Sequence, residues 1–330
     1  MRAWPAMFLL RFDLRAPAFG APTTELYPAA LEMAAWAESR GAVAAVVSEH
    51  HTMADGYLPS PLILATAMAA RTSTLAIVTA ALVLPLYDPI RLAEDLVVLD
   101  VLSGGRASHV LAVGYRPEEY EHLGVDFAER GRIADSHLSL LLRAKAGEPF
   151  VHEGRRIHVT PAPVTPGGPA VMWGGGSPPA ARRAGRHGLD FFAQGGGPEL
   201  QAVYEEAARA HGHEPGMCMI PSTDSATTVF VAHDVDAAWD ELGPHLLHDA
   251  VSYSALNPGS TATASISHAT TVDELRAEDR THRILTVDQA VATIAGGAPL
   301  ALQPLVGGLP PAVAWRYLRV VTDDVMAALA

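Results

Sequence analysis

Three short stretches of this 330-residue chain hold residues whose types and spacing can do chemistry. The first is Glu49-His50-His51, at the end of the apolar run Val43–Val47. Imidazole titrates near neutral pH, so His50 can act as a general acid or base. Glu49 either orients His50 or pairs with an arginine of the surrounding rim. The second stretch is Thr79-Ala80-Ala81, inside the apolar run Leu75–Leu86. Two small side chains there let a planar ring approach the backbone; ordinary filling of a strand core is the plain alternative. The third is Gly174-Gly175-Gly176-Ser177, between an apolar run and a helical pattern. Backbone N–H groups at such a turn bind phosphate, and Ser177 can add a hydroxyl donor or cap the helix. A tight turn with an N-cap would use the same residues.

A metal reading of Glu49-His50-His51 is weak. Adjacent strand residues point to opposite faces, and the other histidines show no ligand spacing. No metal is expected. Composition narrows the field further. Hydrophobic residues make up 49% of the chain and charged ones 18%, enough apolar surface for a sizeable core. The formal net charge of −13 argues against nucleic acid as a general partner. The single cysteine, Cys218, allows no intramolecular disulfide and suits a reducing cytoplasm. The opening Met1-Arg2-Ala3-Trp4-Pro5 lacks a signal-peptide core. The apolar stretches are interrupted by Pro85 or fall short of the ~20 residues of a membrane helix. A soluble cytoplasmic protein with no membrane partner is expected.

Strands are expected over Met7–Leu14, Val43–Val47, Leu75–Leu84, Ala107–Val113, Val171–Trp173, Leu189–Ala193, Thr227–Ala232 and Ala301–Val306, with helical patterns between them. The first strands are continuous apolar runs, as parallel strands buried on both faces require. Thr23 or Thr24 can cap a helix from Glu25 to Arg40, and Ser103-Gly104-Gly105 should stop the helix before the fourth strand. Eight strand-then-helix units with right-handed crossovers predict an α/β fold, a (β/α)8 TIM barrel in a single domain over 1–330. Two excursions are expected near 147–169 and 257–286, the first holding a short hairpin, the second beginning as a mobile loop over Asn257–Ala269. Nothing matches G-x-G-x-x-G or Walker A, which demotes an open nucleotide-binding sheet. Chemistry in such a barrel sits just past the carboxyl ends of the strands.

The stretch Ser48-Glu49-His50-His51 resembles the bacterial luciferase-like flavin-dependent monooxygenase and oxidoreductase superfamily. So do Thr79–Pro85 with Asp88-Pro89, Arg91–Asp95, Leu99–Arg106, Gly114–Tyr120, Gly174–Ser177 and Pro304–Pro311. The resemblance implies a luciferase-like barrel with His50 beside the flavin ring and a non-prolyl cis peptide bulge at Ala80-Ala81 supporting that ring. It also implies a flavin phosphate near Gly175, Gly176 and Ser177. Some relatives carry a phosphate-binding arginine where this chain has Val113, and Arg116, three residues on, is the expected substitute. Ala112 stands where the luciferase has a reactive cysteine, so luminescence is not implied. Glu118, Glu119 and Arg106 are read as structural residues of a rim or dimer-facing surface.

The resemblance makes the leading function an FMN-dependent monooxygenase. Reduced FMN, supplied by a separate reductase, and oxygen would oxygenate a small organic substrate, and the protein is expected to be a homodimer. Hydride transfer with the deazaflavin coenzyme F-420 is the first alternative. A non-catalytic flavin-binding protein is the second, and a metal-dependent hydrolase ranks last.

Overall fold

The structure, a computed structural model, describes residues 8–222, 225–256, 263 and 266–329. In chain order its first half contains β1 (Phe8–Phe12), α1 (Thr23–Glu38), β2 (Ala42–Val47), α2 (Pro61–Arg71), β3 (Ala76–Val83), α3 (Pro89–Ser103), β4 (Ala107–Ala112), α4 (Pro117–His122) and α5 (Arg130–Ala144). There follow β5 (Phe150–His152), β6 (Arg155–Ile157), β7 (Ala170–Gly174), α6 (Pro178–Arg186), β8 (Phe191–Phe192), α7 (Glu199–Ala210) and β9 (Cys218–Met219). The remainder holds β10 (Thr228–Val231), α8 (Val235–Leu256), α9 (Val272–Glu278), β11 (His282–Leu285), α10 (Val287–Ala295), β12 (Leu300–Leu302) and α11 (Pro311–Val320). Among the described residues no helix is long and apolar enough to cross a membrane.

Local chemistry explains several boundaries. Asp88 caps α3 by accepting from the N–H groups of Ile90 and Arg91, and Pro89 opens the helix where no N–H is needed. Gly104 ends it in the left-handed conformation, at φ 63°, as expected from the sequence. The start of α1 differs from expectation. Pro22 occupies the N-cap and Thr23 is already helical, with no side-chain cap. The excursion 147–169 contains the antiparallel hairpin β5–β6. The stretch 257–286 is more regular than expected, because it contains α9 and β11. Residues 257–262, 264 and 265 of the expected mobile loop lie outside the described residues.

The chain divides into two compact units. One comprises the described parts of Met1–Val46, Met53–Pro59 and Ser222–Ala330. Its strands run in the order β11-β10-β12-β1-β2. Strands β1 and β12 pair in parallel with Phe8 opposite Leu300, and β10 and β11 pair in parallel with Thr228 opposite His282. Just past the end of β1, Arg15 is fully buried among three carboxylates. Its Nη1 lies 2.5 Å from Asp55 Oδ2, and its Nε lies 3.5 Å from Asp13 and 3.6 Å from Asp249. The latter two contacts are electrostatic only, since Nε and Nη2 make no hydrogen bond. The guanidinium also sits 4.6 Å from the Tyr57 ring centroid. His248 and His282 bond Asp55 and Asp249, each at 2.9 Å, and Gln303 donates to Asp13 at 2.9 Å.

This hub gives the unit a readable pH dependence. Burial, reinforced by the neighbouring Asp249 charge, raises Asp13 to about 7 against Arg15's opposing pull. Its folded form therefore keeps a proton that the unfolded chain loses near 3.8. The stability linked to that proton is full below that value and is lost as pH rises toward about 7. Asp55 and Asp249 run the other way. Burial pushes both up, but bonds from His248 and His282 and the charge of Arg15 outweigh it and hold each at about 2. Their contribution is present above 3.8 and lost as pH falls toward about 2. Asp13→Asn should flatten the fall in stability between about pH 4 and 7 while leaving the acid side unchanged. Urea melts across that range check it; parallel curves for the two proteins would refute it.

The second unit comprises Val47–Thr52 and Ser60–Pro221. Its strands run β3-β4-β7-β8-β9, all parallel where they pair. Leu82, Leu96, Leu111, Leu138, Trp173 and Phe191 belong to its core. Helices α6 and α7 meet at Gly185, where an added Cβ would stand 2.4 Å from the Tyr204 carbonyl oxygen. Buried Asp100 on α3 anchors the excursion by accepting from the N–H groups of Val164 and Thr165 at 2.8 and 3.0 Å.

Candidate active site

The second unit holds every residue singled out above for chemistry. Strand β2 ends at Val47, and Ser48–His51 form the turn that follows, with Thr52 at φ 57°. Glu49 is 3% exposed. One of its oxygens lies 2.7 Å from His51 Nε2, and the other accepts the Val83 N–H at 3.1 Å. It thereby ties the turn to the end of β3. Burial, then the Glu49 charge, pushes the Tyr87 hydroxyl far above its ordinary range. The bond to Glu49 raises His51 despite burial. Glu49 thus pairs with His51 and with the Val83 N–H.

His50 is oriented by a different carboxylate. Its Nδ1 lies 2.8 Å from Glu119 Oε1, and its Nε2 lies 3.2 Å from the Tyr115 hydroxyl. The two rings meet edge to face at 5.7 Å. Glu119, on α4, is 1% exposed. The same oxygen accepts the His51 N–H at 3.0 Å and Arg116 Nη1 at 3.2 Å. Burial pushes Glu119 up, but the bond from His50 and the neighbouring cations outweigh it and hold the carboxyl below its ordinary value. The expectation that Glu119 is a rim residue is therefore corrected: it is a buried member of the histidine cluster. Arg106 is structural, donating to the Leu75 carbonyl at 2.6 Å and to the Ala69 and Thr72 carbonyls at 3.0 Å each. Arg116 also donates to the His51 carbonyl at 2.6 Å. Its guanidinium is thus engaged in bracing the histidine turn.

Ala80-Ala81 is a cis peptide, and the pairing of β3 with β4 shifts register between Ala80 and Leu82. Beside it, Thr79 Oγ1 lies 3.0 Å from His109 Nδ1. Burial lowers His109 to about 4, so this ring is neutral at physiological pH.

The glycine–serine turn stands at the carboxyl end of β7, two strands along from β3. Gly175 donates to the Phe192 carbonyl at 3.3 Å. An added Cβ on Gly176 would stand 3.3 Å from the Gly195 carbonyl oxygen, so the turns after β7 and β8 pack backbone to backbone. Ser177 occupies the N-cap of α6, yet its hydroxyl makes no cap bond. Pro178 and Pro179 fill the first helical positions and have no N–H. The helix start therefore offers fewer donors than a phosphate site of this kind ordinarily has. The N–H groups of Gly176 and Ser177 and the Ser177 hydroxyl are what the turn can present.

Glu119, Tyr115 and Tyr87 join the cluster without having been singled out as functional. Their signal was position: Gly114–Tyr120 lies just past β4, and Tyr87 just past β3. Among the described residues, no group of three or more His, Cys, Asp or Glu is arranged to hold a metal ion. The rings of His50 and His51 turn to different carboxylates.

A family model described as luciferase-like monooxygenase matches residues 11–297. The 4-hydroxyprotoasukamycin monooxygenase of Streptomyces nodosus subsp. asukaensis is 28% identical over 191 residues, covering 56% of this chain and 51% of that protein. The chain spans about half, or less, of the length of the curated relatives it matches. Among solved structures, the oxygenating constituent of 3,6-diketocamphane monooxygenase from a Pseudomonas putida plasmid, in complex with FMN, superposes with a TM-score of 0.72. That match is 20% identical and covers 98% of this chain and 99% of that one. A secondary alcohol dehydrogenase dependent on coenzyme F-420 gives a TM-score of 0.64 at 16% identity, covering 97% and 99%. At these identities the structural likeness carries the fold alone, an α/β fold of the TIM-barrel type.

Proposed function

The chain belongs to the luciferase-like monooxygenase family, and from that premise we propose that it oxygenates a small organic substrate with reduced FMN supplied by a separate reductase. The observation that carries this reading is the buried imidazole of His50, held by Glu119 just past the end of β2. The residues present fit a flavin. Ala80 and Ala81 leave room for a planar ring beside the backbone. The paired glycine turns form a backbone cradle that side chains would fill. Gly175, Gly176 and Ser177 would hold the phosphate end through backbone and hydroxyl donors. Arg116 would act by bracing the His51 turn. Bound flavin would supply the oxygen-activating redox chemistry. His50 would hold or accept a proton at Nε2, and Glu49 would keep the turn fixed against β3.

Hydride transfer with coenzyme F-420 is the second reading, supported by the likeness to the dehydrogenase that uses it. Titration with reduced FMN and reduced F-420, followed by oxygen uptake with a substrate panel, separates the two. Saturable FMN binding with substrate-dependent oxygen uptake is expected. Turnover with F-420 alone, without oxygen, would sink the FMN reading. Flavin binding without turnover under any condition would favour a carrier. We further propose a homodimer through α2 and α3, where Ile63, Val98, Val101 and Leu102 are exposed apolar residues. Val98, Val101 and Leu102 share one helical face.

A further inference from the structure

We propose that Glu119 is a positioning residue that fixes His50 in the tautomer with Nδ1 protonated, so that Nε2 presents a lone pair and His50 works as a base. This deepens the proposed function and rests on it for the reaction, though not for the tautomer itself. The geometry is specific. Glu119 Oε1 lies 2.8 Å from Nδ1, within reach of the donor the proposal requires. A carboxylate only accepts, so the shared proton belongs on the ring. In a neutral imidazole the other nitrogen is then the acceptor, and the Tyr115 hydroxyl at 3.2 Å donates to it. The His51 N–H and Arg116 Nη1 converge on the same carboxylate oxygen and hold it in place.

The arrangement also balances charge. When Nε2 accepts a proton, Nδ1–H stays with Glu119, and the new positive charge forms against a buried negative one. A base that gains a proton beside an anion is stabilised as it does so, whereas a histidine donating from Nε2 would leave that anion less compensated. Among the described residues, the charged and titratable groups around His50 include Glu119 and Arg116 from the α4 side, Glu49 and His51 from its own turn, and Tyr115. Glu118 adds a distant contact to Arg116 at 3.9 Å, and Tyr87 lies against Glu49. Glu49 is committed to His51 and the Val83 N–H, which leaves Glu119 as the orienting carboxylate.

Nitrogen-15 NMR of the imidazoles in the flavin-free protein tests the tautomer directly, with His50→Gln identifying the His50 signals. The neutral ring should show a protonated Nδ1 and a bare Nε2. In Glu119→Gln the tautomer preference should weaken. The acid limb of the kcat/KM profile should move to lower pH by roughly one pH unit, because the anion favouring the imidazolium is gone. The kcat should fall with KM little changed, and Glu119→Asp should restore part of it. If Glu119→Gln fails to fold, Arg116→Gln offers a milder perturbation of the same carboxylate and should leave the tautomer unchanged. A bare Nδ1 in the wild-type protein, or an acid limb unmoved in a folded Glu119→Gln, would overturn the proposal. Because the NMR reading needs no flavin, a correct tautomer with no oxygenase turnover would count against the proposed function and leave the positioning role standing.

Discussion

His50→Ala should leave the fold intact and lower kcat/KM at least tenfold, equivalent to ~1.4 kcal/mol in the barrier. A positioned acid or base is ordinarily worth about 10² to 10⁴ in rate, so tenfold is the floor. The fold should survive because Glu119 keeps two other donors, the His51 N–H and Arg116. The buried carboxylate is therefore not stranded when the ring is removed. Turnover with reductase-supplied FMN, read beside a thermal melt, checks both halves. Unchanged turnover in a folded variant would remove His50 from the mechanism. A collapsed melt would instead make it a structural residue.

Arg15→Met should cost about 3–5 kcal/mol of stability, the largest such effect expected for this chain. The guanidinium is fully buried among Asp13, Asp55 and Asp249, and methionine fills its volume without its charge. Removing one partner of a buried ion cluster leaves the others uncompensated, which costs more than the pairing itself contributed. His248 and His282 soften the loss for Asp55 and Asp249. Urea unfolding followed by circular dichroism gives the numbers. A loss below ~1 kcal/mol would show that the hub tolerates the missing cation.

Much of the scaffold could be read in the residues themselves. Helices α2 and α3 and strands β2 to β4 carry long apolar patterns with Pro, Asp and Gly at their ends, and these elements lie close to where the patterns put them. Cys218–Met219 is too short to show any alternation. Thr271 caps α9, and Glu274 stands three residues on, but this signal is set in a Ser/Thr-rich stretch that reads as loop. The candidate site was legible by type and not by pairing. His50 stood out because of its chemistry, whereas its carboxylate lies 69 residues away in sequence. No spacing rule links residues so distant, and the nearer Glu49 turns instead to His51. Asp13 and Arg15 alternate along the end of β1 with nothing in the local sequence to reveal that Asp249 completes their cluster.

The two prolines opening α6 have a consequence for traffic. If the dianionic end of a cofactor docks beside Ser177, it meets a helix whose leading residues cannot donate. Grip there must come from a few glycine and serine groups and from shape. A molecule gripped so lightly comes off readily. That suits a carrier borrowed from another protein and handed back after every cycle, and it suits a tightly retained prosthetic group poorly.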